Sequence, residues 1–460
     1  MRTSCSSLTE LKVPYDRPRM RVFLSNLGCK LNQAELERLA REFSAEGHSI
    51  VGELGDADLH VVNSCTVTHI AARDSRRIAR RGSRLNPRIK TVLTGCFVNA
   101  SPEEAAALAG VDLIVPNEEK DELVSRVELA FPELVLMPGI TDSSEIPYAP
   151  LEFTNTRSLV KVEDGCNMPC AFCVIPMTRG QQRSRPLDEV LSDVQGLVAA
   201  GFNEVVITGV QISSYRWQGK SLFDLVTALL ELTPVPRLRL TSIAPWQFDE
   251  RLLDLFDSGR LCRHFHISLQ SGSDDTLVRM RRPYSSADFS RLVRLIRGRV
   301  SGVAITTDVI VGFPGETDDE FEESLRFIES MEFARIHAFP YSLRPDTDAA
   351  TMPDQIAHQT KKDRMARMLT AGEHAEKTFQ RRQLGSDVEI LWERPRDGLW
   401  VGMSDNYIRV LTDLPQQKGS LVRGLLARQL GNGVAVSSAN KPIGRGDLAR
   451  SVEPTTTSLF

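Results

Sequence analysis

Between residues 20 and 140, short apolar runs alternate with amphipathic stretches. RVFLSN (21–26), DLHVVN (58–63), KTVLTG (90–95) and VDLIV (111–115) are compact and rich in β-branched residues, the pattern of buried strands. Between them AELERLAREF places Leu36, Leu39 and Phe43 at helical spacing, and Pro102–Ala109 and Glu118–Phe131 also read as helices. Strands alternating with helices predict a parallel sheet covered on both faces, an α/β fold.

Residues 138–157 are rich in Pro, Ser, Thr and Gly and read as a linker. A second alternating series follows, with strands expected at SLVKVED (158–164), EVVITG (204–209), RLRLTS (237–242), HFHISL (264–269), AITTDVIVG (304–312) and ARIHAFPY (334–341). Helices are expected at Leu187–Ala200, Leu222–Leu232 and Phe321–Met331. Six βα units fit a partial barrel or an open parallel sheet, and right-handed crossovers put every strand C-terminus on one edge. A charged helical stretch (358–383) then leads into Asp387–Trp392, Leu399–Met403, Tyr407–Thr412 and Ser420–Gln429, short strand-like runs separated by Gly, Asp and Pro. These predict a small antiparallel β domain of barrel type.

Length and composition agree with three globular domains: 460 residues, 41% hydrophobic and 25% charged, which excludes collagen-like, wholly disordered and membrane-spanning chains. Lys and Arg total 56 against 60 Asp and Glu, a net charge of −4, so any nucleic-acid contact has to come from local patches. Residues 1–20 lack the apolar stretch of a signal peptide, and no apolar run reaches the roughly 18 residues of a membrane helix. The polar segment from Lys441 onward reads as a frayed tail. A cytoplasmic, reducing location is expected, where thiols are available to metals.

The arrangement of the eight cysteines carries the chemistry. Cys166, Cys170 and Cys173 form C-x3-C-x2-C in GCNMPCAFC, directly after the first strand of the second series. Thiolates suit Fe–S clusters or zinc. Three of them on a 4Fe-4S cluster leave one iron open to a cofactor or substrate, whereas a structural zinc site needs a fourth ligand, for which Cys262 or His264 is the alternative. TGVQISSY, TSIAPW, SLQSGSD, VGFPGET and YSLRPDT end strands two to six, where an α/β fold binds its ligand. GFPGET alone is a tight turn, without the Lys-Ser/Thr of a P-loop.

Cys29, Cys65 and Cys96 each follow a strand in the first region. Their separations, 36 and 31 residues, are each close to one βαβ unit of about 30 residues, so the three thiols converge on one sheet edge. Unrelated core cysteines are the plain alternative. Cys5 and Cys262 fall outside both triads. After Cys65, Arg73, Arg77, Arg80 and Arg84 recur at i, i+4, i+7 spacing and share one helix face, either a solvated face or an RNA contact. Arg279, Arg281 and Arg282 form a second basic cluster. Trp392, Trp400 and Tyr407 in the β domain could stack bases or pack a core.

LGCKLNQAE, NSCTVT, TGC, GCNMPCAFCVIPMTRG, LQSGSD, DVIVGFPGET and YSLRPDT occur in that order along nearly the whole chain. In this the sequence resembles the radical S-adenosylmethionine (SAM) methylthiotransferases, the MiaB/RimO-like family. The resemblance implies an N-terminal methylthiotransferase domain (19–137), a radical-SAM (βα)6 partial barrel (152–378) and a TRAM-like RNA-binding β-barrel (379–443), the last resting on VGMSDNYIRV. It implies that Cys166, Cys170 and Cys173 hold a 4Fe-4S cluster that chelates SAM, and that Cys29, Cys65 and Cys96 hold an auxiliary 4Fe-4S cluster that delivers a methylated sulfur. In the family, a radical from SAM removes hydrogen from an unactivated C–H bond, which offers no acid–base route. Gln270 and Asp308 fall at SAM-pocket positions, with core or turn roles as the alternative.

Within the family, CKLNQAE with CTVT, and RLRLTSIAPW with RLCRHFHISLQSGSD, resemble the MtaB branch, which methylthiolates N6-threonylcarbamoyladenosine 37 beside the tRNA anticodon. The isopentenyladenosine branch has a CSVRE-like second motif absent here, and the branch acting on an aspartate of a ribosomal protein differs at the same place. NSC stands where the family usually has NTC, which leaves the ligand intact. The resemblance further implies a tRNA anticodon stem-loop as partner, a flavodoxin or ferredoxin as electron donor, no membrane and a monomer. A non-catalytic Fe–S protein that binds RNA or transfers electrons is the alternative from another class.

Overall fold

The computed structural model describes residues 20–135 and 156–437 and the backbone of 441–442. Cys5, residues 138–155 of the expected linker and the tail beyond 442 lie outside the described residues.

The first unit is a five-stranded, all-parallel sheet in the order Ser49–Ile50, Arg21–Asn26, Leu59–Ser64, Lys90–Gly95, Leu113–Val115. Every residue of the central strand Leu59–Ser64 is buried, as its apolar run requires when helices cover both faces. Helix Lys30–Ala45 turns Leu36, Leu39 and Phe43 into one core, and Ala72, Phe97 and Leu108 pack the other face. The helix expected at 118–131 is split into a 3-10 stretch, Asn117–Glu122, and an α-helix, Leu123–Ala130. The tighter turn accompanies an inward Lys120, whose ammonium lies 2.7 Å from the Glu35 carboxylate.

The second unit has six parallel strands neighbouring in chain order: Ser158–Lys161, Glu204–Thr208, Arg237–Leu240, His264–His266, Ala304–Val311 and Arg335–Pro340. Bridges Leu238–Leu261 and Ile243–Ile267 join the two halves, giving a partial barrel. Val205, Ile207, Leu238, Leu240, Phe265 and Ile305 pack in one core with the surrounding helices. The alternate positions Glu204, Arg239, His264, His266, Thr306 and Asp308 therefore face the barrel interior. Helices Leu222–Leu232, Ser286–Arg299 and Asp318–Ser330 start at capping boxes on Ser221, Ser285 and Thr317.

An open barrel leaves a strand edge, and here the first unit covers it. Helix Lys30–Ala45 lies against Ser158–Lys161, where the Leu159 amide donates to Glu37 Oε2 at 3.0 Å and Ser158 Oγ to the same oxygen at 3.2 Å. Ala34, Leu159 and Val206 fill the apolar part of this seam. No described helix is long and apolar enough to cross a membrane.

Helix His358–Arg382 leads to the third unit, strands Asp387–Arg396, Leu399–Ser404, Arg409–Thr412, Leu421–Leu430 and Gly433–Val436. Pairing of Asp387–Arg396 with Leu421–Leu430 closes these into a five-stranded barrel, with Lys441–Pro442 added at its edge. The strand Gly433–Val436, short and joined to its neighbour by a tight turn, was not apparent from periodicity. Trp392 is fully buried in the barrel core, Trp400 packs against that core, and Tyr407 stacks on His264 at 4.1 Å. All three aromatics thus serve packing.

Candidate functional site

In the first unit, Cys29, Cys65 and Cys96 follow three adjacent strands of one sheet and lie on its C-terminal edge. Two glycines make this convergence possible. Gly28 has φ +99°, and a Cβ there would lie 2.6 Å from Cys65 Sγ. Gly95 has φ +97°, and a Cβ there would lie 2.4 Å from the Ser64 carbonyl oxygen. Side chains other than hydrogen are excluded at both places. Cys65 is pinned by Ser75, whose Oγ accepts from its amide at 3.0 Å and donates to its carbonyl at 2.8 Å. Burial pushes the Cys65 thiol up to about 11, and the neighbouring Cys96 and Cys29 add to it.

In the second unit, the expected strand 158–164 ends at Lys161, and Glu163–Asp164 turns back to pair with Arg183–Ser184. Between those two pairs the chain presents Cys166, Cys170 and Cys173, all partly exposed. The Met168 amide donates to Cys166 Sγ at 3.4 Å, and Arg282 Nη1 donates to Cys170 Sγ at 3.2 Å. Arg282 is itself held over the rings of Trp246 and Tyr284, at 4.7 and 5.5 Å. Burial raises the Cys173 thiol to about 12, and Cys170 and Cys166 raise it further. Free thiols of this kind are poor nucleophiles, whereas a bound metal ion deprotonates them outright. All seven cysteines of the described residues are free.

The other strand ends surround this loop. The Gln211 amide donates to Glu163 Oε2 at 2.8 Å, and Gln211 Nε2 to Gln247 Oε1 at 2.7 Å. In the GFPGET turn the Gly312 amide is taken by Glu316 Oε2 at 2.7 Å, so the turn is structural. Gln270, with φ +73°, donates its amide to the Asp308 carbonyl and accepts from Ile310, both at 2.9 Å. The Asp308 carboxylate lies 3.2 Å from His266 Nε2 and 3.4 Å from His337 Nδ1. Burial opposes its ionisation, but the two imidazoles outweigh that and hold it well below the usual carboxylate range.

Of the residues marked in the sequence, the structure thus brings each cysteine triad to a strand-end edge and separates Cys262, buried beside Arg239, from both. The zinc alternative through Cys262 or His264 is set aside by that separation: His264 is fully buried against Tyr407 and Thr306. The second basic cluster is committed internally, Arg279 to Glu320, Arg281 to Asp348 and Arg282 to Cys170. Arg73, Arg77, Arg80 and Arg84 are exposed. Sequence reasoning missed His266 and His337 beside Asp308, and missed the buried charges Glu35, Lys120 and Arg179. Glu35 carries one signal, a carboxylate set within the apolar stripe of its helix.

The partial barrel with three thiols at its carboxyl edge is the architecture of the radical SAM superfamily, whose family model matches residues 160–328. The model described as uncharacterized protein family UPF0004 matches residues 21–116. The threonylcarbamoyladenosine tRNA methylthiotransferase MtaB of Bacillus subtilis (strain 168) is 33% identical over 452 residues, 95% of this chain and 98% of that protein. The chain belongs to the radical SAM methylthiotransferase family. The protein of the same description from Aquifex aeolicus (strain VF5) is 34% identical over 88% of this chain and all of its own length. The tRNA-2-methylthio-N(6)-dimethylallyladenosine synthase of Methylacidiphilum infernorum (isolate V4) is 31% identical over 81% of this chain and 84% of its own. Among solved structures, the radical SAM methyltransferase TsrM from Kitasatospora setae shares the fold, with a TM-score of 0.55 at 18% identity over 72% of this chain and 77% of that one.

Proposed function

We propose that this chain is a tRNA (N6-L-threonylcarbamoyladenosine(37)-C(2))-methylthiotransferase with two 4Fe-4S clusters. The observation that carries the reading is the pair of three-thiol sets, each at the carboxyl edge of its own sheet, on two units packed edge to face. Relatives named for threonylcarbamoyladenosine match at 33 to 34% identity, which supports that nucleoside as substrate. In this reading Cys166, Cys170 and Cys173 hold the SAM-binding cluster, and Cys29, Cys65 and Cys96 the auxiliary one. When bound, the clusters supply the electron that cleaves SAM and the sulfur that is transferred.

The chain's own residues bind and orient. Arg282, donating to Cys170 Sγ, stabilises that sulfur as a thiolate. Gln270 and Asp308 line the SAM pocket, with the Asp308 carboxylate held in place by His266 and His337. The exposed arginine face at 73–84 takes phosphates of the anticodon stem-loop, and residues 379–443 form the RNA-side module beside units 19–137 and 152–378. A flavodoxin or ferredoxin is the electron donor, and the enzyme works as a cytoplasmic monomer.

Mass spectrometry of tRNA nucleosides from a deletion strain tests the substrate. Loss of methylthio-threonylcarbamoyladenosine, with its unthiolated precursor retained, is expected. Unchanged levels would overturn the reading. Loss of the methylthio-isopentenyl nucleoside instead would select the second branch, to which the 31% relative belongs.

A further inference from the structure

The seam between the two cysteine-bearing units contains a closed set of charged groups. Arg179, the last residue of the helix that follows Cys173, donates through Nη1 to Glu35 Oε1 and Asp164 Oδ1, both at 2.9 Å, and through Nη2 to Asn32 Oδ1 at 2.6 Å. Lys120 lies 2.7 Å from Glu35, and Lys161 lies 3.0 Å from Glu35 and 3.1 Å from Asp164. Glu35, Asn32 and Lys120 belong to the first unit, and Arg179, Asp164 and Lys161 to the second. The Arg179, Glu35, Lys120 and Asp164 side chains are 1 to 5% exposed, and Lys161 is 14% exposed.

The charges in this set do not cancel. Three basic groups (Arg179, Lys161 and Lys120, whose ammonium burial lowers and Glu35 supports) face two carboxylates (Glu35, Asp164), one positive charge in excess while Lys120 holds its proton. Arg183, half-exposed and 3.6 Å from Asp164, adds a further cation on the solvent side. Glu163 turns away to the Gln211 amide, and the other groups in the set, Asn32, Asn63 and Asn117, are neutral. An uncompensated buried charge costs several kcal/mol by order of magnitude. Arg179 Nη2 and Cys29 Sγ share one acceptor, Asn32 Oδ1, at 2.6 and 3.8 Å, so the cation lies one side chain away from the first triad. As neutral thiols the first triad offers no counter-charge. As ligands of a metal–sulfur cluster, three thiolates make an anion, and one more negative when reduced.

We propose that Arg179 is a positioning residue whose charge is balanced by a cluster on Cys29, Cys65 and Cys96, so that it both raises that cluster's reduction potential and locks the two cysteine-bearing units together. This rests on the two-cluster reading above. Removing the cation favours the less negative, oxidised cluster, and removing an anion from the set does the opposite.

The test uses the anaerobically reconstituted holoenzyme with Arg179→Met, Arg179→Lys and Glu35→Gln. The readouts are potentiometric EPR of each cluster, and amide exchange in Lys30–Ala45 and Ser158–Lys161. Arg179→Met is expected to move the auxiliary cluster to a more negative potential and Glu35→Gln to a less negative one, with the SAM-side cluster moving less in both. Arg179→Lys keeps the charge but not the forked bridge, so the potential stays near wild type while exchange at the seam rises tenfold or more, about 1.4 kcal/mol. An auxiliary potential unmoved in both Arg179→Met and Glu35→Gln would overturn the proposal, leaving a purely structural ion network. If Arg179→Met fails to hold the auxiliary cluster, the sign of the Glu35→Gln shift alone decides. A wild-type holoprotein with a single cluster refutes the two-cluster reading itself, an outcome separate from either result.

Discussion

Replacing Glu204 by Gln is expected to loosen the C-terminal barrel from the partial barrel. Glu204 is fully buried, and it accepts from Arg237 Nε at 2.5 Å and from Arg239 Nε at 2.7 Å. The same two guanidiniums donate to the carbonyl oxygens of Glu389 and Met403 (both 2.9 Å), Ser404 (3.0 Å) and Asp405 (3.2 Å), so they form the polar plug between the units. Burial alone would raise the Glu204 carboxyl, but Arg237 and Arg239 more than offset it and bring it to about 2. Against its ordinary 4.5, linkage at 1.36 kcal/mol per pH unit makes the charged form worth about 3 kcal/mol. That agrees with the ~3–5 kcal/mol lost on breaking a buried pair. Because the folded value is depressed, this contribution is complete above about 4.5 and is lost only as pH falls toward 2. Native-state amide exchange in Asp387–Arg396 and Leu421–Leu430 should therefore accelerate about a hundredfold in Glu204→Gln, equally at pH 6 and pH 8. Exchange in the N-terminal sheet should be unchanged. Acceleration below threefold, or equal acceleration in both units, would refute the reasoning.

Changing Cys166, Cys170 and Cys173 together to Ala should lower iron from ~8 to ~4 per chain after reconstitution, and a colourless chain retaining zinc would contradict the assignment. Gly95→Ala forces a Cβ to 2.4 Å from the Ser64 carbonyl at φ +97°, so it should cost about 1–3 kcal/mol and deplete iron at the first triad while leaving SAM cleavage measurable at the second. Burial, with a smaller push from Arg81, lowers His60 to about 4 from its ordinary 6.5. The unfolded chain then binds the extra proton first, so stability is full above about 6.5 and falls by about 2 kcal/mol at pH 5. Protection of the Leu59–Ser64 amides, taken relative to their intrinsic exchange rates, should fall accordingly in wild type on going from pH 7 to 5, and this pH dependence should flatten in His60→Gln.

Apolar runs were enough to locate the strands, because a parallel sheet covered on both faces writes itself as continuous β-branched segments: Lys90–Gly95 and the helix Leu222–Leu232 coincide with their expected spans. The first thiol set was legible for the same reason, since a cysteine one to three residues past a strand has little choice of edge, and the second was legible from its C-x3-C-x2-C spacing. The helical reading of 118–131 holds, but its opening 3-10 turns were not legible, because Lys120 is drawn into a tertiary ion pair that no local pattern records. Trp392 and Tyr407 illustrate the converse: amphipathic aromatics beside arginines read equally as base-stacking or packing groups, and only their burial decides. The charged seam around Arg179 was invisible because its members lie as far as 147 residues apart.

The net charge of −4 takes on meaning once the arginines are sorted by what they touch. Arg179, Arg237, Arg239, Arg282 and Arg364 are spent inside the protein on carboxylates, carbonyls and a thiol. The face from Arg73 to Arg88 differs: Arg73 and Arg77 share only Asp74, and Arg80, Arg81, Arg84 and Arg88 are exposed with no ion pair among the described residues. That face begins at helix His69–Ala79, whose N-cap Thr68 lies three residues after Cys65. The chain then runs back from that edge, so Arg73 and Arg77 stand nearest the first triad, while Arg81, beside His60, and Arg84 and Arg88 lie toward the N-terminal edge, where Asn86 donates to the Ala57 carbonyl. Under the proposed tRNA reading, a phosphate track would therefore run along this face from the N-terminal edge of the sheet toward the triad, in a chain whose net charge of −4 gives polyanions no general attraction.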